Sequence, residues 1–141
     1  MSEKRGHYST ENTIPVLAVS NVEASIAFYR DTLGFQEDWR GSASPLFIAS
    51  VSRNRHAIML QRRTPADPGW VWIGVSSVLK LWEQIRSTAI ERVVLRPTNQ
   101  QYALEVRVHD PDGNTLWFGS EPLEGIPFGQ TLSDDDIARL A

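Results

Sequence analysis

Apolar and polar positions alternate along this chain in a pattern that runs once and then starts again. Ile14 to Val19 is an apolar run of strand length, with Pro15 near its start. Proline has no N–H to donate to a ladder, so this strand belongs at a sheet edge or at a crossing between subunits. Val22, Ile26, Tyr29 and Leu33 then recur at helical spacing and predict a helix over 22–33. Ser20-Asn21-Val22-Glu23 reads as a capping box at its start, and Gly34 as its stop. Three short runs, 35–40, 45–51 and 56–62, read as strands, with a turn at 52–55.

After Thr64-Pro65-Ala66-Asp67-Pro68-Gly69, a Pro/Gly linker, the pattern repeats. Trp70 to Val75 predicts a strand, and Ser76-Ser77 can cap a helix running to about Thr88. Val78, Leu81, Trp82, Ile85 and Ala89 supply that helix's apolar face. Glu91 to Leu95 reads as a strand. Leu104, Val106 and Val108 then alternate with Glu105, Arg107 and His109 up to Asp110-Pro111-Asp112-Gly113, which is followed by Leu116-Trp117-Phe118. In that turn Pro111 presets φ, Asp110 can accept from a backbone N–H two residues on, and Gly113 tolerates positive φ, so the segment reads as a β-hairpin. Aligning Ile14 with Trp70 places Val19, Ser20, Val22 and Arg30 on the identical residues Val75, Ser76, Val78 and Arg86.

The expected fold class is therefore α+β, with two pseudo-symmetric β-α-β-β-β modules forming a curved mixed sheet around a cleft. Residues 1–12 read as a flexible arm, 13–63 as the first module, 64–69 as the linker and 70–120 as the second module. Residues 121–141 read as a tail in which Ser133 and Asp134 to Asp136 begin a short helix.

Strand parity points to a site. Leu17 and Val19, Ile58 and Leu60, Val71 and Ile73, and Leu116 and Phe118 give each strand one aliphatic face suited to the helices. The opposite face carries Ile14, Met59, Trp70, Trp72 and Trp117. A face holding three tryptophans and a methionine is either a second core or an apolar ligand cavity. Two small half-sheets leave it little else to pack on, which favours the cavity.

Composition narrows the choice. The chain has 141 residues, 41% of them hydrophobic and 22% charged, which suits an ordinary globular domain. A net charge of −3 gives no basis for nucleic-acid binding. With no cysteine, thiolate nucleophiles, disulfides and Cys-based metal sites are excluded. Met1 to Tyr8 has no apolar core of a signal peptide, and no run is long enough to span a membrane, so the expected location is the cytoplasm. His7, His56 and His109 read as exposed or turn-stabilising residues, and no Ser/His/Asp context suggests a nucleophile. Glu105 could meet a cation in the cleft or bond a neighbouring arginine. Arg53, Arg55, Arg62 and Arg63 read as a surface cluster.

The segments 14–35 (IPVLAVSNVEASIAFYRDTLGF), 56–60 (HAIML), 71–86 and 102–118 together resemble the vicinal oxygen chelate superfamily of glyoxalase I, bleomycin-resistance proteins and extradiol dioxygenases. Enzymes of that superfamily place His, Glu or Gln metal ligands at four symmetric strand positions. Carried onto this chain, those positions are Ile14, Met59, Trp70 and Trp117, none of them a good ligand for a divalent metal. Pro15 in the first strand, the Trp70–Val75 strand, and Tyr102 with Glu105 ahead of the turn are most similar to the bleomycin-resistance branch. That resemblance implies a metal-free, cofactor-free homodimer that sequesters a small molecule, such as a glycopeptide antibiotic like bleomycin, without transforming it. The expected ligand-binding residues are Trp39, Phe47, Met59 and Trp70, together with Trp72, Tyr102, Glu105 and Trp117. No catalytic or metal-binding residue is expected. Two other readings stay open. One is a lyase, isomerase or dioxygenase whose ligands come from His56, Glu105 and His109. The other is a structural or regulatory homodimer with no ligand.

Overall fold

Each half of the chain folds as the periodicity predicts, and the two halves share one core. A computed structural model describes residues 6–141; the first five residues of the expected arm lie outside them. The first half contains β1 (Val16–Val19), α1 (Val22–Asp31), β2 (Gln36–Arg40), β3 (Ile48–Arg53) and β4 (His56–Arg62). The second half contains β5 (Trp70–Gly74), α2 (Val78–Thr88), a 3-10 turn at Ile90–Arg92, β6 (Val93–Asn99), β7 (Leu104–His109) and β8 (Thr115–Ser120). Two further elements, β9 (Gln130–Thr131) and α3 (Asp134–Leu140), close the chain.

The two sheets have the same topology. The first runs β1-β4-β3-β2, and the second runs β5-β8-β7-β6, with β9 added at the far edge. In each, the first strand lies parallel to the last and the others are antiparallel. Val16 faces Met59 across the first parallel pair and Trp72 faces Trp117 across the second, so the repeat seen in the sequence is also a repeat of register. β1 sits at an edge, where Pro15 leaves no donor unpaired, and its carbonyl accepts from the Met59 N–H.

The helices pack on the aliphatic faces. Ile26 and Tyr29 of α1, Trp82 and Ile85 of α2, Leu60 of β4 and Leu116 of β8 are all buried in one continuous cluster. Burial of side chains this large stabilises the fold by roughly 1.5–3 kcal/mol each. Gln84 of α2 donates to the Thr32 carbonyl at the end of α1, which ties the modules together.

Several local expectations are corrected. The cap of α1 is Asn21, whose side chain accepts from the Ala24 N–H, and not a Ser20–Glu23 box. Ser20 instead donates its N–H to Asp112, and Glu23 pairs with Arg40. α2 is capped by Ser77, as expected. β3 starts at Ile48 and runs to Arg53, so the turn shortens to Asn54-Arg55, both with positive φ. This two-residue form matches the right-handed twist of a hairpin. β6 begins at Val93 and runs well past Leu95, and β7 begins at Leu104. The tail is pinned: the buried Asn99 side chain donates to the carbonyls of Leu123 and Ile126 and accepts from the Leu123 N–H. α3 carries the expected Ser133 cap, reciprocated by Asp136.

The turn after β7 joins the two modules. Asp110 and Asn114 are buried, and the Tyr29 hydroxyl donates to Asp110 across the modules at 2.9 Å. Burial, followed by the charge and hydrogen bond of Asp110, raises the Tyr29 pKa well above its ordinary 10.0. A pKa raised on folding contributes stability that is complete below the unfolded value and is lost as pH rises past it. Tyr29→Phe is therefore expected to flatten the fall in stability above pH 10, measured by urea unfolding across the alkaline range. An unchanged slope would place that sensitivity elsewhere.

Candidate functional site

The outer face of the second sheet is a three-by-three grid set by register. Glu105, Gly119 and Gly74 form one row across β7, β8 and β5. Arg107, Trp117 and Trp72 form the next, and His109, Thr115 and Trp70 the third. The two glycines leave Glu105 as the one side chain of the first row. A Cβ built on Gly119 would lie 2.0 Å from the end of the Trp72 indole, so this ring leans over the backbone of β8.

The aromatic rings meet. Trp117 lies 5.6 Å from Trp70, 5.1 Å from Trp72 and 6.0 Å from Tyr102 between ring centroids, the last two edge to face. Such pairs contribute about 0.5–1.5 kcal/mol each beyond the area they bury. Trp70 remains 66% exposed and Trp72 43%, and Tyr102 is also exposed, so the cluster is a wall open to solvent.

Glu105 lies beneath this wall. It is fully buried, and it accepts from Arg107 Nε at 2.6 Å and from the Tyr102 hydroxyl. Of the two roles open to it from sequence, the single chain displays the bond to a neighbouring arginine. The Arg107 guanidinium lies over the Trp117 ring, 4.5 Å from its centroid. Partial burial works to lower the Arg107 pKa, but the bond and charge of Glu105 outweigh it and the net direction is upward. Burial and the bond to Glu105 also raise the Tyr102 pKa.

The remaining expected site residues lie on the first sheet. Trp39 faces Ser50, and Ser50 faces Met59, so Trp39 and Met59 share the outer face there. Beside them Asp38 accepts from the hydroxyls of Ser50 and Ser52. A bulge between Glu37 and Trp39 turns Trp39 outward, a displacement that simple alternation does not reveal. Phe47 falls outside the paired residues of the first sheet. It lies just before β3, where its carbonyl accepts from the Arg62 N–H and its side chain is half exposed, while the neighbouring Leu46 packs against the core. Arg107 and Gly119 were missed from sequence. Arg107 could have been found from its position two residues after Glu105, on the same face.

Beside Trp117, where a cleft was expected, Trp70 and Trp72 stand exposed to solvent. The two cavities that stand out lie elsewhere. One, of about 580 Å³, lies between the start of α1 and the Arg40–Leu46 segment; the other, of about 360 Å³, lies by the Asn54-Arg55 turn. Ile14, Met59, Trp70 and Trp117 offer an alkyl group, a thioether and two indoles, which do not fit a divalent metal. Among the described residues, no three His, Asp or Glu side chains come together as a ligand set. No helix among them is long and apolar enough to cross a membrane.

Fold and face together define a two-module α+β protein whose second sheet presents an aromatic wall. Residues 6–118 match the family model of the Glyoxalase/Bleomycin resistance protein/Dioxygenase superfamily, and the chain belongs to that superfamily. Among solved structures it is similar to the bleomycin-binding protein from bleomycin-producing Streptomyces verticillus, solved with copper(II)-bleomycin. That match has 26% identity and a TM-score of 0.66, and covers 81% of this chain and 98% of that one. The bleomycin resistance determinant encoded on transposon Tn5 matches with 19% identity and a TM-score of 0.69, over 81% of this chain and 100% of that one. TnmS3, an antibiotic binding protein from Streptomyces sp. CB03234, matches with 18% identity and a TM-score of 0.67, over 83% and 100%. At these two lower identities the likeness is one of fold. No curated protein sequence matches the chain.

Proposed function

We propose that this chain is a metal-free binding protein of the bleomycin-resistance type. It holds an apolar or aromatic small molecule against Trp70, Trp72, Tyr102 and Trp117, and works as a homodimer in which a second copy supplies the facing wall. The observation that carries this reading is the cluster itself: three indoles on one sheet face meet the Tyr102 phenol, with Trp70 and Tyr102 more than half exposed and Trp72 nearly so. An open apolar surface of this kind marks a binding or association site. Trp39 and Met59 on the first sheet are the proposed second wall, contributed across the dimer. The relative solved with copper(II)-bleomycin supports a small-molecule ligand and makes bleomycin one probe to include.

The test is a tryptophan fluorescence titration of EDTA-treated protein with bleomycin and a panel of planar aromatic compounds, with subunit mass followed by sedimentation. Saturable quenching near one ligand per subunit of a dimer, unchanged by added metal, is the expected result. Saturation only after divalent metal is added would overturn the reading in favour of an enzyme. A flat response throughout would favour a dimer that carries no ligand.

A further inference from the structure

The charge on the aromatic wall narrows the class of ligand. Glu105 is the single carboxylate of the three-by-three grid, and it is fully buried. One of its oxygens accepts from Arg107 and the other from Tyr102, so an arriving cation meets no free carboxylate there. Arg107 has the opposite character. Its side chain is 36% exposed, and Nε is used by Glu105. Among the described residues, neither Nη1 nor Nη2 is bonded to a carboxylate, and the Tyr102 hydroxyl is the other side-chain group that acts on the guanidinium. The fork is held from below by Glu105 and against the Trp117 ring, so its free edge has a fixed orientation. The indole N–H of Trp117 is a further donor on this patch, buried with no acceptor among the described residues. His109 follows on the same face. The wall therefore offers flat apolar area and the exposed guanidinium edge of Arg107, but no accessible acceptor charge.

We infer that Arg107 is the specificity-determining residue of this wall and that the ligand is a planar aromatic molecule bearing a carboxylate or similar anionic oxygen group, whose rings stack on the tryptophans while the oxygens pair with the guanidinium edge. A guanidinium matches two oxygens of one carboxylate in a planar, two-bond arrangement, which a lysine ammonium does not reproduce. Glu105 acts through Arg107 as a positioning residue. This inference rests on the small-molecule reading above and turns it away from cationic ligands.

The experiment titrates the full chain with three probes of one ring system: 2-naphthoate, neutral 2-naphthylmethanol and cationic 2-naphthylmethylammonium, read by tryptophan fluorescence. The expected order is 2-naphthoate tightest, by about tenfold over the other two. Arg107→Gln is expected to erase that preference, and Arg107→Lys to restore only part of it. A wild-type measurement guards against a variant that misfolds: raising salt to about 0.5 M should weaken 2-naphthoate several-fold and leave the neutral probe unchanged. Equal binding of all three probes, or preference for the ammonium, overturns the inference and leaves the aromatic wall standing as a binding site. Binding of none of the three overturns both readings.

Discussion

Asp110→Ala is expected to lower the unfolding free energy by about 3–5 kcal/mol, a large part of what a domain of this size possesses. One carboxylate there serves four donors. Oδ1 accepts from the backbone N–H groups of Asp112 and Asn114, and Oδ2 accepts from the Tyr29 hydroxyl and Asn114 Nδ2, each at 2.9 Å. Asn114 passes the connection on: its Nδ2 also donates to the Ala18 carbonyl, and its Oδ1 accepts from the Gly69 N–H at 2.7 Å. One turn thus secures β1, α1, the linker and the β7–β8 hairpin. Alanine would leave buried donors without partners, each at about 1–3 kcal/mol before relaxation. Asp112→Ala, which removes an exposed bond to the Ser20 N–H, is the control, with an expected cost below about 1 kcal/mol. Urea unfolding measures both, and comparable losses in the two variants would remove Asp110 from its place as the joint between the modules.

Gly119→Ala is expected to weaken binding of a flat aromatic probe by tenfold or more, with a stability cost of about 1–3 kcal/mol. The added methyl would overlap the Trp72 ring, whose nearest atom lies 2.0 Å from the Cβ position. β8 is held between β5 and β7, so its backbone cannot yield cheaply. Trp72 is partly in solvent and can swing away, which breaks its edge-to-face contact with Trp117. The effect should depend on the ring. In a Trp72→Ala background the Gly119→Ala substitution is expected to cost little more, and the double-mutant cycle reads the difference as coupling. Additive losses would mean that the glycine serves the backbone of β8 and not the wall.

The elements that could be read from the sequence are those whose signals are local. Val22, Ile26 and Tyr29 mark the buried stripe of α1, and Ser77 and Ser133 cap the later helices, because a helix repeats every few residues and its caps adjoin it. Trp70, Trp72 and Trp117 fall on one face because strand alternation has a period of two. Contacts that close over long separations were hidden. Asn99 reaches Leu123 and Ile126, and β9 pairs with β6, through polar groups that no periodicity marks. The bulge at Trp39 and the start of β3 after Phe47 depend on which strand pairs with which, and a bulge shifts parity for every residue beyond it. Glu105 had two open roles until Arg107 and Tyr102 were found bonded to its two oxygens.

By itself, the sequence determined the duplicated β-α-β-β-β plan, the aliphatic face of each strand and the aromatic residues opposite it. Each of these follows from residue identity and short-range alternation. The tertiary structure alone decided which faces meet. Both aliphatic faces and both helices share one core, which leaves the aromatic face outside as an open wall. It also decided that a buried carboxylate holds an arginine edge outward and that a glycine makes room for an indole. Alternation says which side chains share a face of a strand; only the packing of one strand on another says what that face is turned toward.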